Sequence, residues 1–304
     1  MATNKFGRNY ALAVASNIDP TKYINVAPPF TLQFDINRSV NGSLNTANLK
    51  VINLNPDTRN RMLKDFYDTS QRNGQRRVIL QAGYGNGFLP TIFYGTIQRC
   101  YSFRQGTEYI TEITGQTGNY ATNFAWDGPP FAAGTTDAVV LDALVTSLAS
   151  QAKMNKGFIG NFPNKSIRGR TYTGQIVDII REISGAALFL DNNQINVLNN
   201  GENVPAGTPI LINSDMGLLG TPRREESNMI IPILFNPQIT PGCLVNIQSR
   251  TIEQAITSTT TALKSFNGIT KVNSVRHAGT ISDAVCGEAL TEIGVYIGVP
   301  AVAS

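Results

Sequence analysis

Residues 30–116 constrain the fold more than any other stretch. They run in strand phase and break that phase once, with a capped helix. Phe30, Leu32, Phe34 and Ile36 alternate with polar residues, as a half-buried strand requires. Asn41-Gly42 marks a turn, and Leu49, Val51, Ile52 and Leu54 form the next strand. Asn55-Pro56 followed by Asp57 is a helix start: Asn caps free N–H groups, Pro loses nothing at the first position, and the acid favours the dipole end. Met62, Leu63, Phe66 and Tyr67 then recur at helical spacing until Asn73-Gly74, predicting a helix over 56–71. Strands follow at 78–82, 88–101 and 107–114, with Gly95 read as a bulge or bend. Several bent strands around one helix predict a small closed or nearly closed barrel.

The rest of the chain is read outward from that unit. Residues 1–29 form an N-terminal arm with one strand, and 30–118 the first barrel. Residues 118–134, with the chain's one tryptophan, Trp126, read as an irregular boundary. Thr136-Asp137 caps a helix with Val140, Leu141, Leu144, Val145 and Leu148. A second helix over 175–184 stops at Gly185, and a hairpin turns at Asp191-Asn192-Asn193. Residues 119–207 are therefore a linker and a small α+β unit. Strand patterns return over 208–304, with turns at 217–222, 236–242 and Asn267-Gly268, and a Thr-rich loop near Thr257–Thr261. The fold class is mainly β with an α+β insertion, two β-barrels flanking it.

Composition narrows the function. A net charge of +4 over 304 residues is too weak for a dedicated nucleic-acid binder, and charged residues make up only 15%. Arg72, Arg76 and Arg77, and later Lys165, Arg168 and Arg170, read as solvated surface. Cys100, Cys243 and Cys286 match no metal spacing, and their odd number argues against a disulfide framework; buried thiols made in a reducing cytoplasm are expected. No apolar run reaches the roughly 18 residues needed to span a bilayer, and the N-terminus lacks a signal-peptide core.

Candidate chemistry is sparse. His277 stands alone beside Arg276 at a strand end and reads as structural. The run Gly83-Tyr84-Gly85-Asn86-Gly87 resembles a phosphate loop but lies between two strands, so it reads as a hairpin tip. Asp137 is a helix cap, Asp142 has no opposing acid or base, and Glu225-Glu226 follows Arg223-Arg224 with its charges satisfied locally. Asp191-Asn192-Asn193 falls short of a calcium loop and reads as a turn. No catalytic, cofactor or metal residue is expected.

Two stretches carry a resemblance. The first is FDINRSVNGSLNTANLKVINLNPDTRNRM with LPTIFYGTIQRCYSFRQGTEYITEITGQ; the second is LINSDMGLLGTPRREESNMIIPILFNPQITPGCLVNIQS with NGITKVNSVRHAGTISD. Together they resemble the central baseplate hub proteins of contractile-tailed bacteriophages, over most of residues 30–283. The resemblance implies a structural virion protein and a homotrimer with two tail-tube-like barrels per chain. It would join the hexameric tail tube, or a tube-initiator protein, to the trimeric spike among neighbouring baseplate proteins. Genomic DNA would only pass through the lumen. The tips at 84–88 and 257–261 would be contact loops; Phe66 and Tyr67 would pack on their own barrel, with Arg59 and Lys64 facing solvent or a neighbour. Two other readings are a tail-associated cell-wall-degrading enzyme and a carbohydrate-binding β protein using Trp126.

Overall fold

The computed structural model describes residues 7–64, 76–85, 87–162, 168–185, 187–199, 201–205, 207–225, 228–250, 253–255, 266–283 and 287–296. The first third holds β1 (Arg8–Ala15), β2 (Tyr23–Val26), β3 (Leu32–Ser39), β4 (Thr46–Ile52), α1 (Pro56–Met62), β5 (Arg77–Tyr84), β6 (Thr91–Gln105) and β7 (Glu108–Gln116). The middle holds α2 (Asn119–Phe124), β8 (Pro130–Phe131), α3 (Asp137–Ala152), β9 (Asn155–Ile159), β10 (Arg170–Thr171), α4 (Ile176–Ser184), β11 (Ala187–Asp191) and β12 (Gln194–Leu198). The last third holds β13 (Ile210–Ile212), β14 (Arg223–Glu225), β15 (Asn228–Leu234), β16 (Leu244–Ser249), β17 (Glu253–Ala255), β18 (Phe266–Ile281) and β19 (Ala289–Tyr296).

The first and last thirds share one sheet, ordered β17-β14-β15-β19-β18-β3-β4-β7-β6-β5-β1-β2, with β16 and β13 branching from β18. β18 is the hinge-pin of this order. Its first half pairs with β16, and its second half pairs with β19 on one edge and β3 on the other. Two apolar cores form along the sheet. One draws Tyr10 and Leu12 of β1 together with Phe34 and Ile36 of β3, so this part of the sheet curls back on itself. The other gathers Met229, Ile231, Val245, Val272 and Val295 from the last third.

The chain is mainly β, with the α+β unit inserted as expected, but the expected barrels do not close among the described residues. The reason lies in β3, whose two edges are taken by β4 and β18, so β1 and β2 cannot ladder onto it. Side chains stitch the seam instead. Tyr10 Oη donates to Phe30 O at 2.7 Å, Arg8 donates to Gly287 O at 2.5 Å, and Tyr84 Oη donates to Phe235 O at 2.8 Å.

Several local expectations change. The arm carries two strands rather than one, β1 and β2, laid on β5. Asn55 caps α1 by accepting from the Thr58 N–H at 2.8 Å, but the helix ends at Met62 and not at 71. Leu63 is extended at φ −50°, ψ 136°, and Lys64 bridges to Cys100 of β6, so tertiary pairing overrides the helical apolar spacing. Phe66 and Tyr67 lie outside the described residues. Gly95 is in register with Val78; the irregularities fall on either side, at Ile92 and Gln98. Gly95 is needed for close approach, since a Cβ there would lie 2.7 Å from Gln116 O and the Phe93 ring. The boundary after Gly118 contains the short helix α2.

The middle unit has its own core, built from Val140, Leu141, Leu144, Ile176, Ile180, Leu188 and Ile195. Helices α2, α3 and α4 pack beside a three-stranded sheet ordered β11-β12-β9. Gly185 ends α4 in the left-handed region at φ 54°, its N–H donating to Arg181 O, as the sequence predicts.

Candidate functional site

The polar residues singled out in the sequence do not converge on one pocket. They divide into buried joints and exposed faces.

The main joint lies where the β11–β12 turn meets β3 and β4. In β3, Leu32, Phe34 and Ile36 face the core, and Arg38 continues that same phase. A guanidinium at a core position needs a buried acceptor. Asp191 provides it: Nε and Nη2 of Arg38 donate to its two carboxylate oxygens at 2.8 and 2.5 Å, and the Arg38 side chain is 0% exposed. Asn45 donates to the same carboxylate at 2.9 Å and to Leu190 O at 2.9 Å. Asn192 and Asn193 sit at φ 42° and 64°, the left-handed pair of a tight hairpin. Asn192 donates to Thr91 O, and Asn193 Oδ1 accepts from Arg77. Every carboxylate and amide considered for calcium is thus turned toward the first β unit. Arg181 of α4 adds a bond to Gly42 O at 3.0 Å. Sequence reading missed this joint. The signal was Arg38 in the core phase of its strand.

A second joint is built on Arg76. It is 0% exposed, not solvated as expected, and donates to the carbonyls of Ala15, Met62 and Leu63 at 2.8–3.1 Å. Arg77 lies over Tyr94 and bonds Asn193 and Lys153 O. Arg72 and Lys165 lie outside the described residues, and Arg168 is exposed.

His277 forms a third joint, in β18. It is 0% exposed, shares a 2.9 Å hydrogen bond between Nδ1 and Thr291 Oγ1, and meets the Phe235 ring edge-on at 5.6 Å. Burial, and then the Arg38 charge, push its pKa down to about 3, so it is neutral at physiological pH. Cys100 and Cys243 are buried free thiols; burial pushes Cys100 up to about 12 and raises Cys243. Cys286 lies outside the described residues.

The remaining candidates sit on exposed faces. Asp142 pairs with Lys156, and Asp137 occupies the first turn of α3 behind the Thr136 N-cap. Glu225 lies in β14, and Glu226 lies outside the described residues. The glycine tip continues into a strand: Gly85 adopts φ 70° and its N–H donates to Gly7 O at 2.7 Å, while Phe88 is 89% exposed. Trp126 is 52% exposed, with its indole N–H on Asn123 O. Arg59 is half-buried over the Tyr109 ring, and Lys64 donates to Ile97 O, so neither simply faces solvent. Across the outer face of the β3–β18–β19 ladder, Arg276 bridges Asp35 at 2.8 Å and Glu292 at 3.6 Å, beside a groove of about 260 Å³ floored by Ser39, Ser274 and Gly294. Among the described residues, no group of three or more His, Cys, Asp or Glu could hold a metal, and no helix is long and apolar enough to cross a membrane.

Comparison with known proteins places this architecture. The chain is similar in fold to a tail protein from Neisseria meningitidis MC58, with TM-score 0.57 and 9% identity over 96% of this chain and 97% of that one. It is similarly close to the 43 kDa tail protein of prophage MuSo2 from Shewanella oneidensis, with TM-score 0.57 and 9% identity over 95% and 98%. The E. coli c3393 protein aligns with TM-score 0.52 and 9% identity over 90% of this chain and 75% of that one. It is described as a type VI secretion component structurally similar to the T4 tail proteins gp27 and gp5. No curated protein matches the chain in sequence. At such identities these likenesses establish the fold alone. A family model described as baseplate hub gp41 matches residues 11–258, most of the chain, and the protein belongs to that baseplate hub family.

Proposed function

We propose that the chain acts as a symmetry adaptor in the virion, a trimeric hub between the hexameric tail tube and the trimeric spike. Each chain would contribute two tube-like β units, open rather than closed, residues 30–118 and 208–304, with 1–29 as an arm and 119–207 as the linker and middle domain. Three chains would then set six similar units around a channel for the genomic DNA. The observation that carries this reading is β18, which pairs with β3 of the first third and with β16 and β19 of the last. A continuous ladder fixes two β units at one spacing and angle, which a ring of paired units requires. The hub acts by position and reacts with nothing.

Light scattering on the purified chain, alone and with its spike protein, tests this. The expected species is a trimer, and images should show a ring with a central hole. A monomer under both conditions would refute the proposal.

A further inference from the structure

We infer, on the ring reading above, that two open edges of the sheet dock on each other between copies of this chain: β2 of one copy adds to the open edge of β13 in the next. A ring of three closes only through a heterologous contact, so each chain must carry two unlike surfaces that fit one another. The two ends of the sheet supply such a pair.

One end is β2, which pairs with β1 alone among the described residues. In an antiparallel pair the bonded residues alternate along the strand. The Ser16 N–H donates to Lys22 O at 2.9 Å, and the same register carried along the hairpin makes Ile24 bond to Val14 and Val26 bond to Leu12. Tyr23 and Asn25 therefore turn their backbone N–H and C=O outward, and neither finds a backbone partner there among the described residues. Both side chains are exposed, and Ile18, in the turn that joins β1 to β2, is 79% exposed.

The other end forks into β17 and β13. β13 pairs with β16 alone among the described residues, and its Leu211 is exposed. Beside its first residue lies a recess of about 480 Å³, lined by Val204, Pro209, Ile210, Gln238 and Leu244 among others. Composition chooses between the two arms of the fork. Exposed edges are ordinarily guarded by charge or proline. β17 carries Glu253, whereas β13 reads Ile-Leu-Ile and β2 reads Tyr-Ile-Asn-Val, with no charge and no proline in either. Strand addition draws affinity from main-chain bonds and specificity from alternate side chains. A ladder of three or four residues is short, so Ile18 and Tyr23 on one copy, with Leu211 and the recess on the next, supply the apolar contact. Pairing of β2 with β2 about a two-fold axis would close at two chains and leave β13 bare.

Light scattering on the full chain over a dilution series tests this. Asn25→Pro removes an outward N–H and no bond to β1, and Leu211→Lys puts a charge on the receiving edge. Each should weaken the trimer about tenfold or more, read as the concentration at which it dissociates, with unchanged circular dichroism. A second measurement stands apart from these variants. Tyr23→Cys and Leu211→Cys chains, mixed dilute, concentrated and treated with a short bis-maleimide, should give a two-chain product from the mixture alone, above the background of the native chain. A native trimer that survives both substitutions, or a mixture without that product, would overturn the edge pairing and leave the ring standing. Product from the Tyr23→Cys chain by itself would overturn it in favour of two-fold pairing. A native chain that stays monomeric with and without its spike protein overturns both readings. Cross-linked open polymers in place of trimers refute the ring and support the edge pairing.

Discussion

Asp191→Ala should be among the most costly single changes in this protein. The Arg38 side chain is 0% exposed and its charge is met by one carboxylate, through bonds of 2.8 and 2.5 Å. Removing that carboxylate leaves a buried cation with only the Ile92 carbonyl at 3.3 Å. Orphaning one member of a buried pair costs about 3–5 kcal/mol. Asp191→Asn keeps the shape and one acceptor and should cost less, about 2 kcal/mol. Replacing both partners, Arg38→Met with Asp191→Leu, removes the orphan and should be milder than Asp191→Ala. Asn45 then keeps Leu190 O as its acceptor.

Equilibrium urea unfolding of the native chain, Arg38→Met, Asp191→Leu and the double variant closes a mutant cycle, with Asp191→Ala and Asp191→Asn measured beside it. Because the pair joins β3 to β11 across two separate apolar cores, the Asp191→Ala loss should appear as earlier release of the middle unit. Limited proteolysis within residues 119–207 reads that release directly. A cost below about 1 kcal/mol for Asp191→Ala, or a coupling energy below about 0.5 kcal/mol, would refute the reasoning.

Three further outcomes follow from the other buried groups. His277 has its folded pKa held down to about 3, against about 6.5 unfolded, so the unfolded chain takes up the proton first as pH falls. Stability should therefore drop between about pH 6.5 and pH 3, by on the order of 1 kcal/mol per pH unit, and His277→Gln should flatten that slope in urea titrations; an unchanged slope counts against it. Arg76→Met strands the carbonyls of Ala15, Met62 and Leu63 and should cost about 2–4 kcal/mol in the same assay, where a loss under about 0.5 kcal/mol would be contrary. Cys100, buried with its thiol pushed up to about 12, should resist alkylation near pH 8 in the native protein and react once unfolded; peptide mass mapping that finds it modified as fast as an exposed thiol defeats this.

Local features of the chain were legible where one residue type has one physical use. Asn55-Pro56 began α1, Gly185 ended α4, and Asn192-Asn193 turned the hairpin, each by a backbone constraint that neighbours do not alter. The end of α1 was not legible, because Leu63 and Lys64 answer to a strand far along the chain. Sheet order was hidden for the same reason. Nothing in the alternation of residues 30–36 states that β3 will take β18 as its second neighbour, since alternation fixes a face and not an edge partner. The end of the β6–β7 hairpin was half visible: Arg99, Tyr101 and Phe103 share a face by spacing, whereas Arg59 reaches Tyr109, on the opposite face, only through the fold.

Three buried cationic or titratable side chains fix this arrangement, Arg38 between separately cored units and Arg76 and His277 within them. Apolar burial within each unit is non-directional and would tolerate small shifts of one unit against another. Arg38 bonds Asp191 across the boundary with the middle unit, while Arg76 bonds Ala15 within the first third and His277 bonds Thr291 within the last, each with partners and distances that a shift of one residue would break. Their net contribution to stability is small, because desolvation offsets most of the bonding. Their effect is on geometry: every alternative docking leaves a buried charge or polar group unmatched, at a cost of several kcal/mol. A part that must present two β units at a fixed spacing to a ring needs that kind of intolerance more than it needs added stability.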